Sequence, residues 1–401
     1  MKQTHTIGAL LLTLLLVGCK ASADNKINIV IWEDDNNHTL IHDLLDNYQA
    51  SYIDKYPDAP ALTFTLLAEQ ESKAVSALGL QAPSGQGPDI FAFVHDTLSS
   101  AVTNNLIAEV LYDKEISLSH SLDSVSAFTF NQKLYGYPIT AESQTLMYDK
   151  RVFSAAEVTS FENIKTSGKK IVLDVANNDS SAYYTFSLMT DAVLFGENGN
   201  NPALFDLNTT ASAANLLALT KDYRSSIVAA TPDSSLAILE TNEAGAVISS
   251  PYLWPKFKEA VGESNAGIAV LPTLNGDPLR PFSGYKGYGV SRYAKNPHVA
   301  HDVARYLTSE LAQRLRFSQK GVLPTFVSPT ITSLVANNPV ASVYQQSATY
   351  SLMMPNITQM GSFWAPANDA VTSIWNLGTN ATLAEVSGLL ASATTTIKNA
   401  F

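Results

Sequence analysis

The chain of 401 residues has one cysteine, Cys19. That rules out internal disulfides, Cys-based metal clusters and redox pairs. Positive charge is scarce too. Lys and Arg number 25 against 36 Asp and Glu, for a formal net charge of −11. Nucleic acid is disfavoured as a partner, because phosphate binding needs a basic surface. Catalytic signatures are also missing: there is no G-x-S-x-G elbow, no Walker A loop and no H-E-x-x-H pair. His38 and His42 are four apart, and His298 and His301 three apart. Neither pair has the further ligands a metal site needs, so all four read as helix-surface residues. No metal and no cofactor is expected. Asp34 and Asp35 are one of many carboxylate pairs in an acidic chain, and sequence does not set the separation a glycosidase needs. Beyond the amino terminus no apolar run is long enough to span a bilayer. Apolar residues still make up 46% of the chain and charged ones only 15%, a composition that buries sizeable cores.

The amino terminus carries the strongest local signal. Lys2 precedes an apolar stretch from Ile7 to Val17, of secretion-signal length. It runs into Leu16-Val17-Gly18-Cys19, which resembles the lipobox of bacterial lipoproteins. There the Cys thiol is alkylated by diacylglycerol and becomes the new amino terminus. Residues 1–19 are therefore expected to be a lipoprotein signal peptide, with Cys19 the lipid attachment point. The expected location is the periplasm, anchored to a membrane. Lys20 follows rather than Asp, which leaves the outer membrane open as that membrane.

The rest alternates between two periodicities. Residues 27–32, 62–67 and 89–94 read as buried strands, with helices over 40–52 and 72–81 between them. This β-α-β-α-β order implies a doubly wound parallel sheet that binds ligands at the carboxyl ends of its strands. Strands are expected over 170–175 and 244–249, and a helix over 211–224. Asn296-Pro297 starts a helix predicted to run to about residue 315. Gly284-Tyr285-Lys286-Gly287-Tyr288-Gly289 lacks the Lys-Ser/Thr ending of a phosphate loop and suits a strand or hinge. Tyr183-Tyr184, Tyr252 beside Trp254, and Phe363-Trp364 fall at loop-like positions. Aromatic faces there suit the apolar C–H faces of sugar rings.

Gly85-Gln86-Gly87-Pro88-Asp89-Ile90, His95-Asp96 and Leu106-Ile107-Ala108-Glu109 resemble the first lobe of maltose/maltodextrin-binding proteins. So do Tyr137-Pro138-Ile139, Glu142 and the signature stretch Leu146-Met147-Tyr148-Asp149-Lys150. Val270-Leu271-Pro272-Thr273, Pro281-Phe282 and Met354-Pro355-Asn356-Ile357 with Phe363-Trp364 extend the match over nearly the whole mature chain. The resemblance implies an α/β, two-lobed periplasmic-binding-protein fold of type II, each lobe a mainly parallel sheet flanked by helices. Residues 20–140 plus about 288–333 would form the amino-terminal lobe. About 145–281 plus 340–401 would form the carboxyl-terminal lobe. The hinge would lie at about 140–145, 282–287 and 334–339. The resemblance further implies a monomeric, non-enzymatic receptor that closes on an oligosaccharide and delivers it to the permease subunits of an ABC importer.

Matched one at a time, the family's sugar contacts fall on Trp32, Asp34, Asn36, Phe93, Asp96, Glu142, Tyr183, Tyr184, Tyr252, Trp364 and Asn368. Departures are also visible. Thr97 stands where the family has Arg, Ser181 where it has Glu, and Asn37 where it has Lys. Ala365 and Asn368 replace Tyr and Arg. Cationic contacts are thus lost, which implies altered affinity or a different oligosaccharide. The rival readings are a receptor for another glycan or polyol, a glycoside hydrolase lipoprotein, and a sensor that presents sugar to a chemoreceptor.

Overall fold

The computed structural model describes residues 26–197 and 199–400. The expected signal peptide and Cys19 lie outside the described residues. The strands β1 (Lys26–Glu33), β2 (Ala61–Ala68), β3 (Ile90–Val94) and β4 (Gly136–Ser143) come first and share one sheet. A second sheet is built from β5 (Thr145–Asp149), β6 (Ile171–Leu173), β7 (Ile227–Ala229), β8 (Ala246–Ser249) and β9 (Ala266–Ala269). The chain then returns: β10 (Phe282–Val290), β11 (Leu323–Pro324) and β12 (Leu352–Met353) rejoin the first sheet.

The first sheet runs β11-β4-β10-β3-β1-β2, with β12 on β10. β1, β2 and β3 are parallel, as the βαβ spacing implied. β10 is antiparallel to both β3 and β4. In the second sheet, ordered β7-β6-β8-β5-β9, β6 is parallel to β7 and β8, while β5 is antiparallel to β8 and β9. Antiparallel ladders thus enter each sheet where the crossing chain arrives or leaves.

Local chemistry explains the elements. Helix His38–Lys55 buries Leu40, Ile41, Leu44, Leu45 and Tyr48, one stripe at helical spacing, against the first sheet. β3 is Ile-Phe-Ala-Phe-Val and is buried on both faces, as a central strand must be. The helix predicted from Pro297 to about 315 is two helices, Pro297–Leu307 and Glu310–Lys320. Ser309 breaks it by accepting a hydrogen bond from the Ala312 N–H, which caps a new first turn that carries Glu310. The same region corrects the reading of His301. It is buried, with Nδ1 2.8 Å from the Tyr137 hydroxyl; His298 is exposed as expected.

Each sheet has its own core. One gathers Ile31, Phe91, Phe93, Tyr137 and Ala304; the other gathers Leu146, Leu173, Phe186, Phe363 and Ile374. β10 begins in the second core with Phe282 and ends in the first with Tyr288 and Val290. Where β10 pairs with β4, the ring of Phe128 sits over two glycines. A Cβ at Gly136 would lie 2.5 Å from Phe128 Cδ1, and one at Gly287 2.6 Å from its Cζ.

Candidate functional site: a cleft between two cores

A cleft of about 900 Å³ is lined from both sheets and from the strands that connect them. The segments that follow β1 and β3 bring Asp34, Asn36 and Asp96 to it, at the carboxyl ends of parallel strands. β4 brings Thr140 and Glu142; β10 brings Tyr285 and Lys286. From the other side come Tyr183, Tyr184, Tyr252 and Trp364.

The aromatic wall is held in place. Tyr183 lies in the short helix Ser181–Thr185, and its ring centroid is 5.0 Å from that of Tyr184 and 6.4 Å from that of Trp364. Its hydroxyl is 3.0 Å from Ser250 Oγ, and its carbonyl accepts 2.7 Å from Gln144 Nε2, at the β4–β5 crossing. Burial pushes the Tyr183 hydroxyl up to about 12, so it stays a neutral donor. Trp364 opens helix Trp364–Leu377 and donates Nε1–H to Asp96 Oδ2 at 3.3 Å, across the cleft. Burial raises the Asp96 carboxyl to about 7, against the lowering effect of that bond. Asp34 Oδ1 accepts from the Asn36 backbone N–H at 2.9 Å and from its amide at 2.7 Å, which fixes the loop after β1.

Eight sequence-based candidates therefore meet in one cleft: Asp34, Asn36, Asp96, Glu142, Tyr183, Tyr184, Tyr252 and Trp364. Three do not line it. Trp32 is 3% exposed and packs in the first core, and Phe93 is fully buried against Phe91 and Phe128. Their strand neighbours Glu33 and Val94 line the cleft instead. Successive side chains of a strand face opposite ways, so one position decides the face. Asn368 is 2% exposed, and its Oδ1 accepts from the Ala182 N–H at 2.8 Å. It anchors the segment bearing Tyr183 and Tyr184.

Cationic side chains line the cleft at positions other than those the resemblance pointed to. Lys286 Nζ lies 3.1 Å from Glu142 Oε1 and 3.3 Å from Glu71 Oε1. Burial alone would lower the Lys286 pKa, but the two carboxylates outweigh it and hold the ammonium charged. Arg316 Nη2 donates to the Tyr288 hydroxyl at 3.1 Å, and that hydroxyl donates to Glu33. Sequence reasoning missed Glu71, Lys286 and Arg316. The available signal was a lysine inside a glycine-flanked strand, where a charge needs a partner. Among the described residues no cluster of three or more His, Asp or Glu side chains could hold a metal ion. Among them, too, no helix is long and apolar enough to cross a membrane.

Known proteins share this architecture. The chain is 24% identical over 388 residues to the galactooligosaccharide-binding protein of Bacillus subtilis, covering 91% of this chain and 90% of that one. It is 24% identical over 396 residues to a maltooligosaccharide ABC transporter solute-binding lipoprotein of Streptococcus pneumoniae, covering 92% and 91%. The solved structure of a maltodextrin binding protein from L. casei BL23 without ligand superposes with a TM-score of 0.78 at 20% identity, covering 93% of this chain and 99% of that one. The fold is thus the two-lobed α/β fold of type II periplasmic binding proteins. Residues 46–342 match the family model for bacterial extracellular solute-binding proteins, and the chain belongs to that family.

Proposed function

We propose that the protein is a lipid-anchored receptor, attached through Cys19, that captures a maltodextrin-like oligosaccharide in the cleft and hands it unaltered to an ABC importer. One observation carries this reading. Trp364 and Tyr183 form an aromatic wall that lines a 900 Å³ cleft together with Asp96, to which Trp364 is hydrogen-bonded, and Glu142. Aromatic faces suit the C–H faces of pyranoses, and carboxylates accept their hydroxyl protons. The names of the relatives from B. subtilis and S. pneumoniae point to the same ligand class, galacto- or malto-oligosaccharides. The lobes would be the two sheets with their helices. The hinge would include the β4–β5 link and β10, and sugar would favour the closed form by its extra contacts there.

The test is tryptophan fluorescence titrated with maltose, maltotriose, longer maltodextrins and galacto-oligosaccharides. Of the four tryptophans only Trp364 lines the cleft, so saturable change should vanish in Trp364→Phe. Trp364→Ala should weaken binding by about 1–3 kcal/mol, the scale of an interface hot spot. Chromatography of the recovered sugar should return it uncleaved. No saturable response to any of these glycans would sink the reading.

A further inference from the structure

Beside the aromatic wall, the cleft holds an ion-pair cluster of which the resemblance supplies only Glu142. Glu71, Lys286 and Glu142 all line the cleft and are mostly buried, with side chains 11%, 21% and 11% exposed. They come from the segment before helix Ala74–Gln81, from β10 and from β4, so three separate stretches of chain converge on one ammonium. An ammonium has three N–H donors. Glu142 Oε1 and Glu71 Oε1 sit 3.1 and 3.3 Å from it as ion-pair partners, which leaves donor capacity for a ligand. Each carboxylate also keeps its second oxygen as an acceptor. Removing three charges from water is costly, and a purely structural role would be filled as well by apolar side chains. A second observation points the same way. Thr140 is the ladder partner of Lys286, so the two side chains share a face. Its hydroxyl is buried without a partner among the described residues, and Thr140 lines the same cleft.

We propose that Glu71, Lys286 and Glu142 form a clamp for two adjacent hydroxyls of a neutral sugar ring. The free carboxylate oxygens accept the two hydroxyl protons, and Lys286 donates to one of the hydroxyl oxygens. Burial raises the Glu71 carboxyl above its ordinary value and Lys286 opposes the rise; with both carboxyls ionised the clamp is net negative, so uronates are turned away. The proposal rests on the sugar-receptor reading and deepens it, making Lys286 and Glu71 determinants of specificity.

Calorimetry of the wild type, Lys286→Met, Lys286→Arg and Glu71→Gln tests it, with maltotriose, galactotriose, their monodeoxy analogues and trigalacturonate as probes. Thermal melting of each variant checks folding. The wild type should lose affinity about tenfold or more for the deoxy analogue that lacks a clamped hydroxyl, the scale of a hydrogen bond to a charged group. Lys286→Met and Glu71→Gln should bind the parent sugar about tenfold to a hundredfold more weakly. They should no longer distinguish it from that analogue, whereas Lys286→Arg should keep part of the distinction. Trigalacturonate should not bind the wild type. If both variants fold and still penalise the missing hydroxyl as the wild type does, the three residues are structural and the clamp is wrong. Should Lys286→Met fail to fold, Glu71→Gln alone decides by the same criterion. Trigalacturonate binding as tightly as maltotriose also overturns it. A wild type that binds no neutral glycan overturns clamp and receptor together; binding with a flat mutant cycle overturns only the clamp.

Discussion

Asp96 is where residue chemistry and the cleft meet. Its carboxyl is raised to about 7 by burial, against an ordinary value of 3.8. The folded chain therefore holds a proton that the unfolded chain has released between about pH 4 and 7. The stabilisation linked to that proton is full below about 4 and is lost as pH rises through 7, at about 1.4 kcal/mol per pH unit within the window. Asp96→Asn removes the titration. Urea unfolding across pH 4–8 should show the wild type losing stability relative to Asp96→Asn as pH rises, and parallel curves would exclude the assignment. Sugar affinity should move the opposite way in the wild type, strengthening as Asp96 ionises through pH 7 and becomes a pure acceptor. Legibility also differs residue by residue. Asp96, Glu142 and Trp364 were readable because short motifs surround them. Trp32 and Phe93 were misplaced by a single strand position, the smallest error a strand allows and one that reverses a side chain.

Among the elements, β10 connects most of the molecule's parts. Its first residue, Phe282, stacks on Phe186 at 3.8 Å with the rings 10° apart, and its ring centroid is 5.8 Å from that of Trp364. Phe282 thus backs the aromatic wall from inside the second core. Phe282→Ala should destabilise the protein by about 3–5 kcal/mol, the usual cost of emptying a buried phenyl site. Thermal denaturation measures that loss. Calorimetry should find weaker sugar binding as well, because Trp364 loses its backing, and unchanged affinity would separate the wall from the core behind it. β10 was legible as a strand or hinge, and the resemblance implied a hinge at about 282–287, but its ladder partners were not legible. Its partners Phe93 and Pro138 lie far away in sequence, and no local periodicity records such a pairing. The break at Ser309 escaped notice because the apolar spacing continues through it while the capping bond does not depend on spacing.

Across the whole molecule, three buried imidazoles set the response to acid. His95 bridges the Met354 carbonyl and the Tyr285 N–H, His120 reaches the Thr308 carbonyl, and His301 meets the Tyr137 hydroxyl. Burial lowers each to about 4. The unfolded chain protonates them near 6.5, so the stability they contribute is full above that value and is lost as pH falls toward 4. Three such groups outweigh the opposite trend of Asp96. Denaturant midpoints should therefore fall steadily from pH 6.5 to 4, and a midpoint that stays constant over this range would contradict the burial of these rings. The fold class was legible because alternating strands and helices leave two periodicities in the chain. The cleft's charge was not, since Glu71, Glu142 and Lys286 meet only after β4 and β10 have paired. The two glycines under Phe128 lead to one further expectation. Neither Gly136 nor Gly287 can gain a side chain while that ring stays, and loss of the ring alone leaves a hole over both. A Cβ at Gly287 would also meet the Tyr137 carbonyl at 2.9 Å, so Gly287 should stay glycine among related chains while Gly136 and residue 128 drift as a linked pair, the ring shrinking only when Gly136 is replaced.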